Sequence, residues 1–148
     1  MDRGNTTCER MDEMSESTQH IYPFLMFEGA AEEAMQFYTS LFDRSEIISI
    51  TRYGANEDGK EGTVMQAVFS LKGHLFMCID SSIKHNFTFT PAISLYVTCD
   101  TKEEVERVFA RLSEGGIVLM PLGEYPFSKK YAWVQDRFGV SWQLSWQG

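Results

Sequence analysis

The stretch Ala31-Glu-Glu-Ala-Met-Gln-Phe-Tyr38 decides the fold, because its pattern occurs a second time further along the chain. Glu32-Glu33-Ala34 has its counterpart in Glu103-Glu104-Val105. Phe37-Tyr38 has its counterpart in Val108-Phe109, and the offset is 71 positions in both cases. Repetition at an offset of about half the chain indicates a duplicated module.

Both copies of this pattern lie on predicted amphipathic helices. Over 30–42, apolar residues recur at the three- and four-residue spacing of one helix face. The second helix begins at the capping box Thr101-Lys-Glu-Glu104 and ends at Gly115-Gly116. Short apolar or alternating runs on either side predict strands. These strands span 21–27, 47–53, 63–72 and 74–80 in the first half, and 92–98, 117–120, 131–135 and 140–146 in the second.

The elements follow the order strand, helix and three strands, twice over. This order predicts an α+β protein with a single domain at 21–148, made of two βαβββ modules at about 21–82 and 91–148. A helix is expected to cover one face of each sheet, while the other face curves around a cavity. Residues 1–20 are predicted to be a flexible N-terminal tail, because their only apolar side chains are one cysteine and three methionines.

Length and charge exclude several classes of protein. The 148 residues are those of one domain, and 13 basic against 21 acidic residues give a formal net charge of −8. Nucleic acids and anionic membranes favour basic surfaces, so neither is expected as a partner. No apolar run approaches the roughly 20 residues of a membrane span, and the polar segment 1–19 is unlike a secretory signal. Three cysteines without a close pair predict no disulfide framework, which favours the cytoplasm.

A family resemblance rests on further stretches spread over the chain. They are Tyr22-Pro-Phe-Leu-Met-Phe-Glu-Gly29, Gly62-Thr-Val-Met65, Phe76-Met-Cys-Ile-Asp80, Phe87-Thr-Phe-Thr-Pro-Ala-Ile-Ser-Leu95 and Trp133-Val-Gln-Asp-Arg-Phe-Gly-Val-Ser-Trp-Gln-Leu144. From Ile21 to Trp146 the chain resembles the PhnB-like branch of the vicinal oxygen chelate superfamily, often labelled demethylubiquinone methyltransferase-like. The superfamily includes glyoxalase, bleomycin-resistance and extradiol dioxygenase domains. The resemblance implies a cupped, incomplete β-barrel with the helices on its outer face, and a homodimer.

The resemblance also implies positions for a divalent metal, which enzymes of the superfamily hold with His and Glu side chains. Carried over, these positions fall at Tyr22 or Pro23, near Cys78 or Asp80, at about Ala92 and at Gln143. Proline and alanine side chains cannot ligate a metal, and a neutral amide oxygen is a weak donor. The three histidines of the chain match no compact ligand spacing. We therefore expect no metal site of the usual kind and no cofactor.

Three residues of the second half are predicted to bind a small-molecule ligand in the cup. Gln143 alternates with Ser141 and Ser145, so this polar set faces the cup if the apolar set packs on a helix. The Gln143 amide could then hydrogen-bond a ligand, and the alternative is a solvated strand face. Tyr96 and Trp133 either line the same pocket or pack in the core.

Three further candidates, Tyr22, Cys78 and Asp80, lie in the first half. The resemblance places the first-strand position of the family's site at Tyr22 or Pro23. Asp80 closes its strand on a Ser-Ser turn and is the best candidate for a catalytic general base, the alternative being a carboxylate that caps the turn. Cys78 either binds a ligand or is a small core residue. In the second half, the segment 125–130 is predicted to be a loop over the mouth of the cup.

These observations favour a metal-free protein that binds an apolar or aromatic small molecule in the cup. The bleomycin-resistance relatives set the precedent, because they sequester a drug without turnover. One alternative is a lyase, isomerase or oxygenase that uses the same cup, with Asp80 as the acid–base group or with an unusual metal. Another is a structural dimer whose cup is vestigial. A methyltransferase is disfavoured, because the chain has no glycine-rich loop for S-adenosylmethionine and the wrong element order for a doubly wound sheet.

Overall fold

The computed structural model describes residues 19–148, so the predicted tail at 1–20 lies outside the described residues except for its last two positions. The first module contains β1 (Phe24–Phe27), α1 (Ala31–Leu41), β2 (Glu46–Arg52), β3 (Val64–Leu71) and β4 (His74–Asp80). The second contains β5 (Leu95–Thr98), α2 (Lys102–Ser113), β6 (Ile117–Tyr125), β7 (Ser128–Gln135) and β8 (Ser141–Trp146). The predicted α+β class and the repeated βαβββ order are confirmed.

The two modules share one sheet topology. The strand order is β1-β4-β3-β2 in the first sheet and β5-β8-β7-β6 in the second. In each sheet the first and last strands of the module pair in parallel, and all other neighbours pair antiparallel. The chain divides into two compact units between Lys84 and His85, so each unit has its own sheet and helix. Over 19–148, no helix has the length and apolar character that a membrane crossing requires.

The two helices begin in different ways. The hydroxyl of Thr101 accepts the Glu104 backbone N–H of α2 at 3.0 Å, and the Glu104 carboxylate accepts the Asp100 backbone N–H at 2.7 Å. The predicted capping box is therefore confirmed. Ala30 precedes α1 and provides no side-chain cap. The carboxylate of Asp80, at the end of β4, takes that role by accepting the first backbone N–H of α1 at 3.0 Å.

Each helix covers one face of its sheet. α1 packs against β2, β3 and β4, and α2 packs against β6, β7 and β8. In the second module Val105, Val108 and Leu112 of α2 are fully buried, as are the apolar side chains of β7 and β8 that they cover. These sheet residues are Ala132, Val134, Trp142 and Leu144. The alternation along a strand then turns the intervening residues of β7 and β8 to the opposite face.

A side-chain amide extends the hydrogen-bond ladder between β1 and β4. The Gln19 amide donates to the Leu75 carbonyl at 2.8 Å and accepts the Leu75 N–H at 2.9 Å. Two residues further along β4, the Met77 N–H donates to the Pro23 carbonyl at 2.9 Å in ordinary backbone pairing. Gln19 therefore substitutes for a strand residue at a point where β1 has not yet begun.

Two strands begin later than their sequences predict. β1 begins at Phe24 rather than at 21, and β5 begins at Leu95 rather than at 92. Pro23 has no N–H to donate, so the chain before β1 contributes only its carbonyl to the ladder. Ahead of β5, Pro91 and Ala92 are in a turn that the Ile93 N–H closes on the Thr90 carbonyl at 3.4 Å.

The predicted loop at 125–130 is wrong. β6 continues to Tyr125 and β7 begins at Ser128, so that Pro126-Phe127 is a two-residue turn between paired strands. The rings of Tyr125 and Phe127 pack edge-on against Tyr131, with ring centroids 5.4 and 4.8 Å away. These contacts stabilise a hairpin where the polar sequence Ser-Lys-Lys favoured a loop.

Candidate functional site

The candidate site lies on the face of the second sheet that α2 leaves uncovered. We call it the polar face and define it by Tyr96 on β5, Tyr131 and Trp133 on β7, and Ser141, Gln143 and Ser145 on β8. Trp142 and Leu144, which alternate with these on β8, are fully buried on the α2 side. Gln143 and its two serines therefore point away from the helix, as the alternation predicts.

Strand register places three of the predicted site residues side by side. Gln143 is paired with Tyr96 across the parallel strands β5 and β8, and with Trp133 across the antiparallel strands β7 and β8. Neighbouring strands lie about 4.8 Å apart, so one amide is flanked by an aromatic side chain on each side. The row Tyr96–Gln143–Trp133 contains no charged residue.

Tyr131 completes the site, although the sequence did not single it out. Its hydroxyl donates to Oε1 of Gln143 at 2.5 Å. Burial, together with the neighbouring Tyr96 and Tyr125, raises the pKa of the Tyr131 hydroxyl above its usual value. The hydroxyl therefore stays protonated at neutral pH and remains a donor. The signal that could have found it is its position two residues before Trp133, which puts both side chains on one face.

The other polar groups of the polar face are engaged with one another. The indole N–H of Trp133 donates to the Ser141 hydroxyl at 2.8 Å, and that hydroxyl lies 2.7 Å from the Ser94 hydroxyl. The Ser145 hydroxyl lies 2.8 Å from that of Ser128. Ser141 and Ser145 are both buried, so these bonds satisfy groups that water does not reach.

Two polar groups of the polar face remain available. Nε2 of Gln143 has no hydrogen-bond partner among residues 19–148, since Tyr131 engages only the amide oxygen. The Tyr96 hydroxyl also has none in that part of the chain, and Tyr96 is 56% exposed. The site thus offers two N–H donors from an amide and one hydroxyl, between aromatic rings.

Asp80, the candidate general base, is a structural residue. Its Oδ1 accepts the Gly29 N–H at 2.7 Å and the Ala31 N–H at 3.0 Å, while its Oδ2 accepts the Val64 N–H at 2.9 Å. Both carboxylate oxygens are thus occupied by backbone donors, and the residue is 2% exposed. This geometry corresponds to the alternative in which the carboxylate caps a turn, and it leaves no oxygen facing a ligand.

Cys78 and Tyr22 are likewise occupied within the first module. Cys78 is fully buried on β4, where its register partners are Leu25 and Ala67. Burial and the nearby Asp80 raise the pKa of its thiol to about 12, so it is an inert core residue. Tyr22 precedes β1, and its hydroxyl donates to the backbone carbonyl three residues earlier at 2.6 Å.

The described residues do not fit the divalent metal that the resemblance implies. No group of three or more His, Cys, Asp or Glu side chains suited to a metal ion occurs within 19–148. Pro23 and Ala92 lack ligand atoms, and the Asp80 oxygens are taken by backbone N–H groups. At the remaining position, Oε1 of Gln143 accepts the Tyr131 hydroxyl.

Comparison with known proteins gives one family and several solved structures. Residues 19–145 match the family model described as 3-demethylubiquinone-9 3-methyltransferase. No curated protein matches the chain.

A PhnB protein from Bacillus cereus is 66% identical, with a TM-score of 0.85 over 86% of this chain and 99% of that one. A protein from Pseudomonas aeruginosa is 28% identical, with a TM-score of 0.75 over 88% and 98% of the two chains. The fosfomycin resistance protein FosX from Listeria monocytogenes shares the fold at 10% identity, with a TM-score of 0.59 over 89% and 95%.

Proposed function

The chain belongs to the 3-demethylubiquinone-9 3-methyltransferase family, and from this premise we propose that it is a metal-free protein that binds a small apolar or aromatic molecule on the polar face. The observation that carries the proposal is the row Tyr96–Gln143–Trp133. Binding sites for small molecules combine aromatic walls with a few placed polar groups, and this row has both.

The methyltransferase in the family's description is not part of this proposal. S-adenosylmethionine is usually held by a glycine-rich loop after the first strand of a doubly wound parallel sheet. Within residues 19–148, each sheet has one parallel strand pair and is otherwise antiparallel. Binding therefore explains the described side chains better than methyl transfer does.

Binding of Nile red, a neutral aromatic dye whose emission rises in apolar surroundings, tests the proposal. We expect the protein to bind the dye and the Trp133→Ala variant to bind it at least about tenfold more weakly, because one aromatic wall is lost. Trp146→Ala is the matched control, since Trp146 is also half-buried but alternates with Gln143 and Ser145 to the other face of β8. Equal binding by all three proteins, or equal loss in both variants, would overturn the proposal.

We also propose that the protein is a cytoplasmic homodimer. Each sheet ends in two edge strands, and edge strands tend to be covered. Ile83, Phe87 and Ile93, on the connector between the modules, are largely exposed apolar side chains that an interface would bury. Sedimentation equilibrium should give twice the 17.0 kDa mass of the chain. A single species of 17.0 kDa at every concentration would contradict the dimer.

A further inference from the structure

The polar groups of the polar face are not equivalent as ligand contacts. The indole of Trp133 and the hydroxyls of Ser141 and Ser145 bond to protein partners. Nε2 of Gln143 is thus the donor that this face leaves for a ligand, joined by the more exposed hydroxyl of Tyr96.

The orientation of the Gln143 amide is fixed by Tyr131. The Tyr131 hydroxyl holds Oε1, so that the amide N–H groups must point elsewhere. Tyr131 itself is held in place, because Tyr125 and Phe127 pack edge-on against its ring. A donor whose direction is set in advance loses little entropy when it binds a ligand.

The spacing of the strands suits a planar ring above Gln143. β5 and β7 lie on either side of β8, so their backbones are about 9.5 Å apart. Aromatic rings interact favourably with centroids about 4.5–7 Å apart, so one ring placed midway can contact both Tyr96 and Trp133. The row has no cation to neutralise an anionic ligand and no anion to hold a cationic one.

We propose that Gln143 makes the site selective for neutral planar aromatic molecules that carry a carbonyl oxygen, with that oxygen accepting a hydrogen bond from Nε2 while the ring lies between Tyr96 and Trp133. This inference rests on the proposed function and adds a ligand class and a specificity-determining residue to it. The Gln143 amide, flanked by two aromatic side chains, favours a ligand that carries a hydrogen-bond acceptor. A ligand without an acceptor would displace the water bound to the amide N–H and leave that N–H without a hydrogen bond.

The test compares 9-fluorenone with fluorene, two flat tricyclic probes of similar shape that differ at one carbonyl oxygen. Affinities are measured by quenching of tryptophan fluorescence for the wild type, Gln143→Glu and Gln135→Glu. The carboxylate of Gln143→Glu still accepts the Tyr131 hydroxyl but has no donor. Gln135→Glu is the matched control, because Gln135 lies on β7 and already donates its amide to the Gly139 carbonyl.

We expect the wild type to bind 9-fluorenone at least about fivefold more tightly than fluorene. Gln143→Glu should remove this preference, whereas Gln135→Glu should retain it. If Gln143→Glu does not fold, Gln143→Met takes its place. This variant also lacks the donor and should likewise remove the preference that the wild type shows. Equal affinity of the wild type for both probes, with both weakened by Trp133→Ala, would overturn the selectivity and leave the proposed function intact. Binding of neither probe would overturn the selectivity, and the absence of Nile red binding as well would overturn both.

Discussion

The indole N–H of Trp142 donates to Oδ2 of Asp136 at 2.9 Å, and both residues are buried. Oδ1 of Asp136 accepts the backbone N–H groups of Phe138 and Val140 at 2.8 and 3.0 Å. One carboxylate thus joins the turn between β7 and β8 to the largest side chain in the core of the second module.

Trp142→Phe should destabilise the protein by about 2–3 kcal/mol, because it leaves a buried carboxylate oxygen without its donor. Urea unfolding followed by circular dichroism measures the change. Trp146→Phe is the matched control and should lose less than about 1 kcal/mol, since Trp146 is only half-buried. Equal losses in the two variants would show that the bond to Asp136 contributes nothing of its own.

Asp80→Asn should destabilise the first module by about 2–3 kcal/mol, because the amide turns one acceptor into a donor that faces a backbone N–H. Differential scanning calorimetry should show a lower Tm, while Asp58→Asn, in an exposed loop, should leave it unchanged. Nile red affinity should persist wherever Asp80→Asn is folded. An Asp80→Asn protein of wild-type stability would contradict the structural role.

The Cys78 thiol should be unreactive in the folded protein. With a pKa of about 12, about one thiol in ten thousand is ionised at pH 8. In a Cys8→Ser/Cys99→Ser background, a disulfide reagent such as DTNB should label Cys78 only after urea is added. Labelling of the native protein at the rate of the unfolded chain would contradict this prediction.

The same thiol makes stability depend on alkaline pH. The pKa of Cys78 rises from 9.0 to about 12 on folding, so the unfolded chain loses its proton first as pH increases. The contribution of Cys78 to the free energy of unfolding should therefore be constant below pH 9 and fall between pH 9 and 12. Cys78→Ala should show a shallower fall over that range in urea unfolding, although its stability at pH 7 is lower.

Gln19→Ala should weaken the local protection of β4. The substitution removes both bonds to the Leu75 backbone, at an expected loss of about 1–2 kcal/mol. Hydrogen exchange followed by NMR should show faster exchange of the Leu75 amide. The Met77 amide, bonded to the Pro23 carbonyl, is the internal control and should keep its protection. Unchanged exchange at Leu75 would show that the amide does not substitute for a strand.

Sequence periodicity predicted the element order well, because most elements carry their own local signal. The capping box at Thr101 placed the start of α2. The turn Lys72-Gly73 was recognisable as a hairpin connection, and both residues have the positive φ that such a turn needs. The predicted resemblance to the PhnB-like branch is also confirmed by the family match over residues 19–145 and by the PhnB protein that is 66% identical. The starts of β1 at Phe24 and of β5 at Leu95 were predicted too early in the sequence. They depend on the extent of pairing with the distant partner strands β4 and β8, which the local sequence does not show.

The site was predicted only in part, because its parts come from separate strands. Alternation along β8 gave the face on which Gln143 lies, yet nothing local shows that Tyr96 is its neighbour across a parallel pair. The bond from Tyr131 depends on the register of β7 against β8. The role of Asp80 stayed open for the same reason, as its three backbone donors come from two different segments of the chain.

The parallel pairing in each sheet has a consequence for the order in which the chain folds. Phe24 pairs with Met77 across most of the first module, whereas β3 and β4 are joined by two residues. Closing a longer loop costs more chain entropy, so hairpins should be formed in the transition state before β1 and β5 dock. In stopped-flow experiments Val68→Ala, in the β3–β4 hairpin, should slow refolding, whereas Leu25→Ala, in β1, should chiefly speed unfolding. The late-docking strand β5 carries Tyr96, so one wall of the proposed site would be completed only in the last step of folding.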